Sequence, residues 1–113
     1  MATEQDLTDC LAAARTGRGA KLISENMLLE LYHFAAQQNL ILDGIEPFQI
    51  DGELELPHVD LTITPSEIRE AYAHLCWKDR VASVKREVDR ILNETRRMGG
   101  EFRFNAWVSA EAD

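Results

Sequence analysis

The chain has 113 residues, 45% of them apolar, and a formal net charge of −8. That length suits one domain, residues 1–113, and a chain of this size buries roughly two-thirds of its unfolded surface without needing a metal or a disulfide. The charge disfavours contact with nucleic-acid phosphates or an anionic membrane and favours basic partners.

The first helix is expected from Glu4 to Arg15, with Thr3 as N-cap, Asp6 answering it three residues on, and Leu7, Cys10, Leu11 and Ala14 as the apolar stripe. Gly17 and Gly19 end it. A second helix follows from about Glu25 to Gln38, capped by Ser24, with Ile23 placed to staple against Leu28. Its apolar stripe (Met27, Leu28, Leu31, Ala35) is widened by Leu29, Tyr32 and Ala36, as in a helix covered on more than one side.

The period then changes. Leu40-Ile41-Leu42 runs to Asp43-Gly44, Ile45–Ile50 runs to Asp51-Gly52, and Glu53–Leu56 alternates charged with apolar residues. Asp-Gly between such runs signals hairpins. A three-residue Ile50-Asp51-Gly52 loop places Phe48 opposite Leu54 on one apolar face, and is preferred on that ground. Pro57 reverses the parity, so that Val59, Leu61 and Ile63 share a face in a bent or edge strand.

Thr64-Pro65-Ser66-Glu67 combines an N-cap, proline at the first helical position and a capping box. Ile68, Tyr72 and Leu75 open a stripe, and Val81, Val84, Val88, Ile91, Thr95 and Met98 continue one that is out of phase across Cys76–Asp79. One long bent helix to Gly99-Gly100 is the preferred reading; two consecutive helices, the second capped by Asp79, is the other. Phe102, Phe104, Ala106 and Val108 alternate in a last strand, Glu101–Ser109, and Ala110–Asp113 frays. The sum is an α+β fold: a small, mostly antiparallel sheet of three or four strands, with two N-terminal helices and the long helix (or pair) packed on one face.

No apolar run approaches the ~18 residues of a membrane span. Met1–Asp9 is polar and acidic, unlike a signal peptide, and Cys10 and Cys76 each stand alone in apolar, helix-like stretches. The expectation is a cytoplasmic protein with no cofactor.

There is no phosphate-binding glycine loop, nucleophile elbow or paired-cysteine metal motif. His33 three residues after Glu30 is half of a carboxylate–histidine metal pattern, but without a second copy it reads as a helix-surface histidine. His74 four residues after Glu70 reads as a local ion pair. His58 and Asp60 alternate on the third run as a base and its orienting acid would, yet no nucleophile accompanies them.

Charge is more telling. Residues 43–70 hold eight acids against Arg69 alone, a segment charge of −7, whereas residues 79–103 hold seven bases and five acids. Asp43, Glu46, Asp51, Glu53, Glu55 and Asp60 are therefore the candidate contacts for a basic protein partner, joined by Trp107, which the alternation of the last strand sets on the face opposite the phenylalanines. The leading expectation is a small acidic protein-binding module, an inhibitor of immunity or anti-defence type or an adaptor. A homo-oligomer (a homodimer through the long helix or last strand) and a small metal-dependent hydrolase using His58, Asp60 or His74 are the alternatives.

Overall fold

The computed structural model describes residues 2–113. The elements run α1 (Glu4–Ala14), β1 (Ala20–Ile23), α2 (Glu25–Gln37), β2 (Ile41–Asp51), β3 (Leu54–Pro57), a 3-10 turn (Val59–Leu61), α3 (Pro65–Ala71), α4 (Trp77–Ser83), α5 (Lys85–Met98) and β4 (Glu101–Ser109). The α+β architecture expected from the sequence is present, as one antiparallel sheet of order β1-β4-β2-β3.

Local chemistry sets most boundaries. Thr3 and Asp6 form a reciprocal capping box at α1, Ser24 accepts from the Met27 N–H at α2, and Thr64 accepts from the Glu67 N–H at α3 with Pro65 beside it. Asn39, at φ +59°, ends α2: its N–H donates to Ala36 O and the Leu40 N–H donates to Ala35 O, the paired bonds of a left-handed C-terminal cap.

The core lies between the helices and one face of the sheet. Ala20 and Ile45 flank Ala106 in register, and with Phe104 and Val108 they meet Leu28, Leu31 and Ala35 of α2 and Val88, Ile91 and Leu92 of α5. Val88, Ile91, Leu92 and Thr95 of α5 are thus buried inside their own chain, while Met98 at its end stays exposed. Tyr32 ties α2 to α4 by donating its hydroxyl to Val81 O at 3.0 Å.

Four readings of the sequence are corrected. First, Asp43-Gly44 is not a turn. β2 runs straight through it, and the register with β4 slips by one residue between Leu42 and Gly44, leaving Asp43 as the extra residue of a bulge. Second, the hairpin loop is Gly52-Glu53, with Asp51 opposite Leu54, Gln49 opposite Leu56 and Phe48 opposite Pro57. Gly52 alone takes a left-handed φ, +62°, as the first central residue of a two-residue hairpin turn of type II′ does. Phe48 therefore faces away from Leu54. Third, Val59–Leu61 is a 3-10 turn, and only Ile63 bridges back to Ile45, so His58 and Asp60 do not alternate on a strand. Fourth, the long helix is broken at Tyr72–Cys76. α4 starts after Cys76, which makes no side-chain capping bond, so Asp79 is not the cap; α4 and α5 then run on with a hitch at Val84. Arg80 holds the break by donating to Leu75 O and Ala73 O. β1 was not expected at all.

Candidate functional site

The helices cover only part of the sheet. Where β2 meets β3, both faces are open: Leu54 is 60% exposed and Leu56 42%, and Val59 beyond them is 78% exposed. Strand alternation assigns the side chains here. Leu54, Leu56, Gln49 and Phe102 share the helix-side face, with His58 against Phe102 at 5.2 Å between ring centroids and its Nε2 3.1 Å from Gln49 Oε1. The opposite face carries Phe48 and Ile50 of β2, partly buried, paired with Arg103 and Glu101 of β4, and flanked by Glu55 of β3.

The outer edge of β3 is blunted. A two-residue loop makes Asp51–Leu54 and Gln49–Leu56 the hydrogen-bonded pairs, so Glu55 and Pro57 turn their backbones outward. Proline has no N–H, leaving Glu55 as the one residue of β3 that offers an outward donor. A macromolecule meeting this end meets faces and side chains before it meets a strand edge.

The acidic residues named from the sequence fall into three places. Asp51, Glu53, Glu55 and Asp60 are exposed around the turn, β3 and the 3-10 turn. Glu46 is half-buried on the open face, where its Oε1 accepts from Asn105 Nδ2 at 3.1 Å while Asn105 Oδ1 accepts from the Leu22 N–H at 2.8 Å. Asp43 is only 4% exposed and does not belong to that surface. The six ion pairs among the described residues use Asp113, Asp89, Glu87, Glu25, Glu94 and Glu101. None uses an acid from residues 43–70.

Trp107 lies on the open face, half-buried. Its Nε1 donates to Gly17 O at 3.1 Å, Lys21 Nζ sits 5.3 Å from its ring, and the ring rests on Gly19 so closely that a Cβ there would stand 2.6 Å from the indole. The α1–β1 loop is shaped to this ring.

Asp43 opens a second feature that sequence reasoning missed. The bulge sets Asp43 in the wall of a cavity of about 450 Å³ between the start of β2, α3, α4 and the C-terminal turn. Burial pushes its pKa up to about 6, against the pull of the Ser109 hydroxyl, its own backbone N–H and Arg69; Asp113 pushes it further up. Its Oδ1 is sealed from solvent without a hydrogen-bond partner. The signal in the sequence is the parity break between Leu42 and Ile45, two core-facing residues that strict alternation puts on opposite faces.

Among the described residues no group of three or more His, Cys, Asp and Glu stands close enough to hold a metal ion, and no helix is long and apolar enough to cross a membrane. Comparison with family models, with curated proteins and with solved structures finds no match to this chain.

Proposed function

We propose that this chain is a protein-binding module, an inhibitor or adaptor in type, that docks a basic partner on the β2–β3 end of its sheet. The observation that carries the reading is the coincidence of unspent charge with uncovered apolar surface. Asp51, Glu53, Glu55 and Asp60 have no ion-pair partner among the described residues, and Leu54, Leu56 and Val59 stand exposed near them. Carboxylates around this end of the sheet steer a basic partner and set its orientation, while the exposed apolar side chains supply the burial that holds it. The blunted β3 edge directs contact to the faces rather than to strand addition.

The motives for oligomerisation are weaker once the fold is in view. Val88, Ile91 and Leu92 of α5 are buried in their own core, and Trp107 is bonded within its own chain. The test is affinity capture at low salt with the intact protein and with the triple reversal Glu53→Lys, Glu55→Lys, Asp60→Lys. All three residues are exposed, so the variant should fold. The reading expects a basic protein that the intact chain retains and the variant releases. Equal retention by both rules the surface out.

A further inference from the structure

We infer that the cavity walled by the β2 bulge, α3, α4 and the C-terminal turn is a binding site for a small apolar zwitterion of the α-amino-acid kind, with its ammonium on Asp43 and its carboxylate on Arg69. The site is distinct from the β2–β3 surface and does not depend on the docking proposal.

Three features of the cavity select that chemistry. Its volume, about 450 Å³, falls within the ~300–1,000 Å³ of small-molecule sites. It presents one acceptor in want of a donor. Asp43 is nine-tenths and more buried, and its Oδ1 is unpartnered, a situation native chains rarely tolerate because a buried polar atom loses its hydration for nothing. The terminal torsion of an aspartate is soft, so the carboxyl can turn that oxygen toward a guest.

The cavity also presents one cation without a fixed task. Arg69 is exposed and enters no ion pair among the described residues. Its neighbours are already engaged. Arg80 donates to Ala73 O and Leu75 O, Trp77 Nε1 donates to Asn39 O at 2.7 Å, and Asp113 accepts from Arg15 and from the Ala110 N–H. Glu111 is exposed on the rim, where solvent screens it.

A simple cation that reached Asp43 would face Arg69 and Arg80. A simple anion that reached Arg69 would face Asp43. A molecule that carries both charges offers each wall its counter-charge, and Ile41 and Ile68 leave an apolar side for its remainder.

The experiment is titration of the isotopically labelled full chain, followed by amide chemical shifts. The probes are L-leucine and L-phenylalanine, with isopentylamine and N-acetyl-L-leucine as analogues that lack one charge each. The expected result is a saturable shift centred on Asp43, Arg69 and Ser109 with at least one of the two amino acids. It should be at least about tenfold weaker for both single-charge analogues, and for Asp43→Asn and Arg69→Gln with that same amino acid. Arg69 is exposed, so its variant carries the test even if Asp43→Asn alters the fold. The inference is overturned by the absence of saturable shifts with both amino acids, by single-charge analogues that bind as well as the amino acid, or by shifts that ignore Arg69→Gln.

Discussion

The two ends of the sheet are built by different rules. At the covered end, Ile45, Phe104 and Ala106 lie under α2 and α5, all of them closed to solvent. There the hydrophobic pattern dictates which way each residue points, because a slip of one residue would move a whole row of side chains into water. At the β2–β3 end no helix presses on Leu54 and Leu56, and the turn wins instead. Gly52 supplies the backbone conformation that a two-residue loop needs, and the apolar residues fall on opposite faces as a consequence. Core burial sets register only where a core exists to be buried.

The contrast can be broken most directly by truncation at each end. Phe104→Ala should cost about 3–5 kcal/mol, whereas Leu54→Ala should cost less than about 0.5 kcal/mol. Urea unfolding of the two variants gives the ratio, and a Leu54→Ala loss comparable to that of Phe104→Ala would mean the hairpin end is not bare.

Asp43, at the boundary of the covered region, should show the next largest effect. Its folded pKa, about 6, lies above the ordinary aspartate value of 3.8, so between those pH values the folded state holds a proton that the unfolded chain has released. The contribution of Asp43 to stability is therefore most favourable below about pH 4, falls as pH rises toward 6, and is then lower by roughly 3 kcal/mol at neutral pH. Asp43→Asn removes the charge and should gain on the order of 2 kcal/mol at pH 7.5 with little change at pH 4. Melting curves at the two pH values check this, and an equal effect at both would show that the carboxyl is not ionising in a buried place.

The smallest of the three concerns the turn. Nothing lies within 4 Å of a Cβ added at Gly52, so Gly52→Ala meets only the backbone penalty of φ +62°, about 1 kcal/mol. A neutral result would mean that another turn serves equally well and that the register at this end is not held by Gly52.

The same division explains what could be read in advance. β4 is legible to its ends because Phe102, Phe104, Ala106 and Val108 alternate over a core, and α3 is legible because Thr64 caps the Glu67 N–H and Pro65 opens the helix, although the Glu67 side chain does not complete the expected capping box. β1 escaped because it is four residues long, irregular in register, and carries Leu22 at φ +49°, so it has no alternation to detect. The break at Tyr72–Cys76 has no proline or glycine to announce it. Only the phase change across Cys76–Asp79 marks it in the sequence; the bonds from Arg80 to Ala73 O and Leu75 O that hold it depend on how the chain folds back there. Asp43-Gly44 signals a turn in the sequence because the dipeptide suits a turn and a bulge equally well, and only the neighbouring strand decides between them. Of the candidate site, the acidity of residues 43–70 was legible; that Asp43 turns inward and Asp51, Glu53, Glu55 and Asp60 do not was invisible without the bulge.

The strand order has a consequence for how the chain is born. β4, last of the four strands to be synthesised, lies between β1 and β2. Until Glu101–Ser109 has left the ribosome, those two strands have no common neighbour, and the faces of α2 and α5 that rest on Phe104 have nothing to rest on. Contacts that span most of the chain are slow to close. The nascent domain therefore carries an unfinished apolar interior until the strand that joins β1 to β2 has emerged.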